Sequence, residues 1–376
     1  MAQSNLLRLR NLWFQIHKWI GILLAILIIP VSISGSALVW HDALDEALNP
    51  GRFAATEGPA LPYSAWEAAA RKALAPGERL VSIRWPEHGG PVVATAAPPP
   101  ASGKARPGPP VRTNIWIDPA TGNVLDRAPT NQGAVRFLHV LHGSLQVPGV
   151  GRSIVGWIGV FMLLSSLSGL WLWWPLRGKW TRGLRWNRQP AVSANLHHQM
   201  GFWVAIPLAM LSLTGAWISF PTFFGPLAGE TPPAPGGRAR AQRAQPIEQT
   251  RMSAEAAFAA ARPLAKGDPI SIAWPTDLAP AWKVQFARQG GAAEVEIADA
   301  TGAAKPPKPP RPETLSRTMR RWHDGTGMGM VWQVIIFIGG IIPAILAVTG
   351  IMMWLRTRGW RGEQKSRQAE AKARTA

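Results

Sequence analysis

The chain has 376 residues, 47% of them hydrophobic and only 16% charged, with 20 tryptophans; length alone would suit two or three soluble domains, but this balance points to a membrane protein. A net charge of +19 would suit nucleic acid if it were gathered in one soluble domain, yet it is distributed along the chain as membrane topology requires, and nucleic acid is excluded as a partner. No cysteine occurs, so disulfides, c-type haem attachment, iron–sulfur clusters and thiol redox chemistry are excluded as well.

In chain order, the first apolar run covers about 14–40, opening on IHKWIG and closing on SGSALVW. A hydrocarbon core of roughly 30 Å needs about 20 helical residues, so this run can span it. A cleaved signal peptide is the alternative reading, given the basic N-terminus and the small residues near Ser34, but the run far exceeds the about 7 to 15 residues of a signal h-region. A polar segment follows, with an Ala-rich helix expected at 63–74, short alternating strands at 80–85, 92–96 and 113–117, and a Pro-rich linker at 98–110. The second apolar run is 153–174 and the third 200–220, joined by a basic connection. A second polar segment repeats the pattern, with a helix at 254–261, strands at 270–274, 282–286 and 293–297, and Pro-rich stretches at 231–237 and 305–312. The fourth run, 331–355, leads into a basic tail, and Trp13, Trp19, Trp40, Trp171, Trp173, Trp174, Trp332 and Trp354 mark the ends of the runs as interfacial belts do. The expected organisation is therefore 1–42 N-terminus and first span, 43–149 first external module, 150–222 second span, basic loop and third span, 223–328 second external module, and 329–376 fourth span and tail.

Charge sets the orientation. Arg8, Arg10 and Lys18, the connection holding Arg177, Lys179, Arg182, Arg185 and Arg188, and the tail from Arg356 to Arg374 together carry 15 of the 40 Lys and Arg but only two acids, Glu363 and Glu370. By the positive-inside rule these segments, and hence both termini, are cytoplasmic, and the two long polar segments lie outside.

The two halves resemble each other. IHKWIG at 16–21 matches LHHQMG at 196–201, Ser34-Gly35 matches Thr214-Gly215, Ser168-Gly169 matches Thr349-Gly350, and SIRWPEHGGPVV at 82–93 matches SIAWPTDLAPAW at 271–282. Since each half holds two spans, both halves start on the same side, which implies parallel repeats about a pseudo-twofold axis along the membrane normal. Superposing the halves sorts the eight histidines. His17 falls on His197, and His142 falls on His323, whereas His41, His88, His139 and His198 have non-histidine counterparts and no assigned role. Topology puts His17 and His197 at the inner side and His142 and His323 at the outer side. A pair of imidazoles is short of the three or four protein ligands that zinc takes, but it is the full axial set of a haem, which supplies four nitrogens itself. Two b-type haems, one near each face, are thus expected. The competing reading is that these histidines are interfacial packing residues. His139 is the substitute ligand should His142 fail, and Arg136, Arg152, Arg320 and Arg321 are candidate propionate contacts. The Ser/Thr-Gly pairs are read as sites of close helix packing, although glycine also makes room for a macrocycle. GTGMGM at 325–330 has spaced glycines but no preceding strand, so no nucleotide site is expected.

IHKWIG, SGSALVW before DEALNP, LHGSL before GRSIVGWIG, LHHQMG and TGIMMWL together resemble the PepSY-associated transmembrane family, along nearly the whole chain, and the polar segments resemble PepSY domains. The implied fold is an all-α four-helix transmembrane bundle with two periplasmic α+β modules, internally duplicated. The resemblance implies a multi-pass protein of the bacterial inner membrane that takes electrons from a quinol or a cytoplasmic donor and reduces a periplasmic ferric siderophore, or other iron chelate, to release Fe(II). By position, His17 and His197 would ligate the inner haem, and His142 and His323 the outer one. His41 departs from the family's pattern. Two alternatives stand beside this. A non-redox protein would bind or regulate a periplasmic partner through its external modules; a transporter is disfavoured because no charged residue lies mid-span.

Overall fold

The computed structural model describes residues 2–87, 89–100, 110–175, 179–186, 189–231, 237–289, 291–310 and 312–375. In chain order its helices are α1 (Ala2–Leu38), α2 (His41–Leu48), α3 (Tyr63–Lys72), α4 (Ala134–Ser144), α5 (Gly151–Trp173), α6 (Val192–Ser219), α7 (Pro221–Leu227), α8 (Gly237–Arg243), α9 (Ala254–Ala261), α10 (Leu315–Asp324) and α11 (Gly329–Thr375). Its strands are β1 (Arg79–Arg84), β2 (Val92–Ala97), β3 (Thr113–Ile117), β4 (Val124–Pro129), β5 (Pro269–Ala273), β6 (Ala281–Arg288), β7 (Gly291–Ala298) and β8 (Ala304–Lys305). The chain divides into two compact units: residues 1–41, 137–232 and 313–376, and residues 42–136 and 233–312.

The first unit is helical. Four helices are long and apolar enough to cross a membrane, with spans Asn5–Leu38, Gly151–Trp173, Val192–Ser219 and Gly329–Trp360. Each coincides with one of the expected runs, ending within two residues of it at the far end in the first three. They begin before those runs because a helix continues into polar interfacial sequence that a hydropathy reading leaves out: α6 begins at Val192 and so takes in the whole of LHHQMG. α1 packs along α11 and α5, and α6 along α5 and α11. Small residues allow the approach, since a Cβ on Gly159 would come within 3.0 Å of the Ser212 carbonyl, and Ser36 on α1 donates to the Phe337 carbonyl of α11 at 3.1 Å. Outward residues are apolar as well: Leu23 is 71% exposed, Ile26 79% and Ile206 75%, a surface suited to lipid rather than water.

The second unit is one antiparallel sheet of order β4-β3-β2-β1-β5-β6-β7-β8. The expected strands form within a residue or two of their positions, but each segment has a fourth strand, and the two do not remain separate modules. β1 pairs with β5, Ile83 opposite Ile272, which makes the eight strands continuous. Alternation is carried into the structure in β6 and β7: along AWKVQFAR, Trp282, Val284 and Phe286 are buried between half-exposed neighbours, whereas β2 is buried at every position but Thr95. β4 reads VLDRAP, with an Asp and a terminal Pro that only an edge strand tolerates, and β8 is two residues long. α3 lies on β1 and β3, α9 on β6 and β7, and Trp66, Ile115, Ala257 and Val295 join one buried cluster.

Candidate functional site

His17 stands on α1 and His197 on α6, with ring centroids 6.3 Å apart and ring planes at 86°. His17 Nδ1 lies 3.1 Å from the Ser165 carbonyl and 3.1 Å from Ser168 Oγ, both on α5. A carbonyl only accepts, so Nδ1 carries the proton. His197 Nδ1 lies 3.0 Å from Thr349 Oγ1 on α11. That hydroxyl already donates to the Ile345 carbonyl at 2.9 Å, so Nδ1 must again be the donor. In both rings the remaining nitrogen, Nε2, is then the one with a lone pair.

The other end of the bundle repeats this arrangement with different helices. His142 on α4 and His323 on α10 stand with centroids 5.9 Å apart. His142 Nδ1 donates to the Val31 carbonyl of α1 at 2.9 Å. His323 Nδ1 lies 3.0 Å from Thr214 Oγ1 of α6, whose own hydrogen goes to the Met210 carbonyl at 2.8 Å. Burial lowers both imidazoles from the usual histidine range, and so keeps them neutral, as ligation requires. α10 is fixed at both ends. Thr314 caps its start by accepting from the Arg317 amide, and Gly325 closes it with φ 76°, where any other residue would be strained. Trp217 Nε1 donates to Ser316 Oγ and holds this helix to the end of α6, and the Ser316 amide donates to Glu230, just past α7, both at 2.9 Å. α4 ends in two successive left-handed residues, Leu145 at φ 51° and Gln146 at φ 59°. Such positions cost about 1–3 kcal/mol each, and the bond from Gln146 Nε2 to the Phe137 carbonyl, 2.8 Å, helps to hold this turn behind His142.

A glycine lies against every one of the four rings. A Cβ on Gly35 would come within 2.5 Å of His142 Cε1, on Gly169 within 3.1 Å of His17 Cε1, on Gly215 within 3.1 Å of His323 Cε1, and on Gly350 within 3.5 Å of His197 Cε1. These are the helix-end Ser/Thr-Gly pairs expected to be packing devices; they are instead the seats of the imidazoles, glycine admitting the ring and the neighbouring hydroxyl or a carbonyl taking Nδ1–H. The signal in the sequence was their recurrence together with the histidines. One turn beyond His17 and His197, a Cβ on Gly21 or Gly201 would meet nothing within 4 Å.

A nitrogen about 2.0 Å from a metal ion places its imidazole centroid about 3 Å from that ion, so two rings on opposite sides of one ion stand about 6 Å apart. Both pairs have that spacing. Among the described residues no three His, Cys, Asp or Glu converge on a common point. α1 carries both His17 and the seat of His142 at Gly35, 18 residues further on, as α6 carries His197 and Gly215; at about 1.5 Å per residue the two pairs are roughly 27 Å apart along the helices.

The remaining candidates fall elsewhere. His139 is exposed on α4 and faces His41 with centroids 6.1 Å apart, so it does not replace His142. His198 lies 6.3 Å from the Trp173 ring, centroid to centroid. Arg321 pairs with Glu313 at 2.7 Å, Arg152 donates to the Ile218 carbonyl, and Arg136 and Arg320 are exposed. His88, Arg177 and Arg188 lie outside the described residues.

The molecule is thus a four-span membrane protein with an antiparallel sheet unit inserted twice between its spans. Residues 14–357 match the model of the PepSY-associated TM region, and the chain belongs to that family. No functionally curated protein matches it.

Proposed function

We propose that the chain is a two-haem b-type oxidoreductase of the bacterial inner membrane, which carries electrons outward to a periplasmic ferric siderophore or similar chelate and releases Fe(II). The observation that carries this reading is the four-fold recurrence of one arrangement: an imidazole with Nδ1–H donated to a carbonyl or hydroxyl, a glycine against the ring, and Nε2 left to ligate, with two such rings at ligand spacing at each end of the bundle. Haem, if bound, would supply four nitrogens and a one-electron Fe(III)/Fe(II) couple. His17 and His197 would hold the inner group, and His142 and His323 the outer one. Donation from Nδ1 fixes each ring's tautomer and orientation and raises the basicity of the ligating nitrogen.

Internal duplication belongs to the same reading. It is supported by the matched motifs and by the register of β1 on β5, where Ile83 sits opposite Ile272, its own counterpart in the other half. The basic loop and tail support a cytoplasmic placement of both termini. The substrate's chemistry fits one-electron transfer: hard oxygen donors favour Fe(III), so one electron gives softer Fe(II), which the chelator holds less tightly. A quinol or a cytoplasmic protein supplies the electron.

The test uses dithionite-reduced, desalted protein mixed anaerobically with a ferric hydroxamate and a ferrous chromophore. Prompt oxidation of the protein with stoichiometric Fe(II) formation is expected, slowed at least tenfold in His142→Ala. Reduced protein that stays reduced beside the chelate would reject the reductase reading.

A further inference from the structure

The connection between α5 and α6 is basic and carries several tryptophans, and its residues 179–186 are tied to the bundle. Gln199 of α6 donates from Nε2 to the Gly183 and Arg185 carbonyls, both at 3.1 Å. Gly183 is buried against the ring of Trp173, which itself stacks on Phe202 of α6 with centroids 3.9 Å apart. Asn195, 3% exposed, fixes the far end: its Nδ2 donates to the Gln189 carbonyl at 2.7 Å, and its Oδ1 accepts from the Gln189 amide at 2.9 Å. With the backbone so held, the large and charged side chains point away from the bundle. Trp174, Trp180 and Trp186 are 54%, 48% and 51% exposed, and Lys179, Arg182 and Arg185 are exposed among them. No Asp or Glu occurs from Arg127 to Gly229, and among the described residues no ion pair involves any of these three cations.

We propose that residues 179–186 bind the headgroup of an anionic phospholipid at the membrane face where α5 ends and α6 begins. One span ends at Trp173 and the next begins at Val192, so the turn between them lies at headgroup level whichever side it faces. An exposed indole suits that level, with its ring at the acyl boundary and its N–H in the polar layer. A guanidinium takes a phosphate through parallel N–H···O bonds, and Lys179 adds a compact charge. A soluble anion would engage the three cations and leave the tryptophans in water. A zwitterionic lipid would engage the tryptophans but bring a cation of its own to the other three. An anionic phospholipid satisfies both sets of side chains. Charge bias between loops needs only the residues in the sequence, whereas here the backbone that carries them is pinned by two side-chain amides of α6, which makes a defined seat. Those amides, Asn195 and Gln199, flank His197 in sequence, but the proposal does not depend on that histidine holding a haem.

The experiment uses full-length protein in detergent, with Thr181→Cys, its sole cysteine, carrying an environment-sensitive fluorophore. It is titrated with dioctanoyl phosphatidylglycerol, dioctanoyl phosphatidylcholine or inorganic phosphate. Saturable binding of the phosphatidylglycerol is expected, roughly tenfold or more tighter than that of the phosphatidylcholine, with the preference shrinking as NaCl rises. The preference should vanish in Lys179→Gln/Arg182→Gln/Arg185→Gln and survive removal of as many cations from the tail in Arg356→Gln/Arg358→Gln/Arg361→Gln. Trp180→Ala/Trp186→Ala should weaken both lipids and keep the preference. Equal affinity for the two lipids overturns the site, and so does a preference that the turn variant keeps or that both charge variants lose equally, since the attraction would then belong to the whole basic face. Saturation by inorganic phosphate at the same concentrations as the phosphatidylglycerol would make this a site for a soluble anion and overturn the lipid as its occupant.

Discussion

Gly35, Gly169, Gly215 and Gly350 make the same contact at four different clearances, which ranks their alanine variants in advance. A Cβ 2.5 Å from His142 Cε1 has to displace that ring, one at 3.1 Å forces His17 or His323 to give slightly, and one at 3.5 Å from His197 is ordinary contact. Cofactor retained after purification should therefore fall most in Gly35→Ala, less in Gly169→Ala and Gly215→Ala, and least in Gly350→Ala; a reversed order would mean the glycines do not seat the rings. Removing the acceptor of a ligand's other nitrogen is a subtler change. Thr349→Val keeps the shape but leaves His197 Nδ1 without its partner, and should weaken cofactor affinity by about 10–100-fold, read by competition with an apo-haem acceptor. At this scale the pairing of the rings was legible, because the matched motifs set His17, His142, His197 and His323 apart from the other four histidines. Their seats were misread, because a small residue near a helix end packs helices in most membrane proteins and nothing in a single Ser-Gly pair says that a ring lies over it.

Among the elements, β1, β2, β3, β5, β6 and β7 were legible from short runs of strand-forming residues, although only β6 and β7 alternate in burial, and α3 and α9 from Ala-rich runs. β4 and β8 escaped because edge strands need neither alternation nor apolar residues, and the joining of β1 to β5 escaped because hydropathy does not encode which edge meets which. The turn after β3 illustrates how these strands are held. Burial raises the pKa of Asp118, but hydrogen bonds from Thr56, Ala120 and Thr121 outweigh that and hold its carboxyl below the usual range. A carboxyl depressed in the folded state stabilises fully above its unfolded value of about 3.9 and loses that contribution as pH falls through the folded value. Amide exchange in β3 and β4 of the full chain should thus be flat from pH 7 to about 5, after correction for intrinsic rates, and rise in stronger acid. Asp118→Ala, at a site 2% exposed, should raise it at neutral pH by the equivalent of about 1–3 kcal/mol, the cost of buried donors left unmet. Unchanged exchange in that variant would show that the carboxylate does not hold the turn.

For the whole molecule, composition, the four spans and the family were legible in the sequence, since a membrane span needs about 20 apolar residues in a row and few other structures do. The proposed orientation follows from charge, and the absence of cysteine makes it simple to test. In intact cells whose outer membrane has been permeabilised, a membrane-impermeant maleimide should label Glu57→Cys in the sheet unit and leave Ser366→Cys in the tail unlabelled until the inner membrane is lysed; the opposite pattern would reverse the direction of electron flow. The central claim is tested most directly by the visible spectrum of purified protein, air-oxidised and then dithionite-reduced, with haem counted as pyridine haemochrome in the wild type, His17→Ala and His142→Ala. The account predicts two b haems per chain in the wild type, falling towards one in each variant and losing a different component of the reduced spectrum in each. A featureless spectrum from protein expressed with ample haem, or haem content unaltered by either substitution, would contradict it.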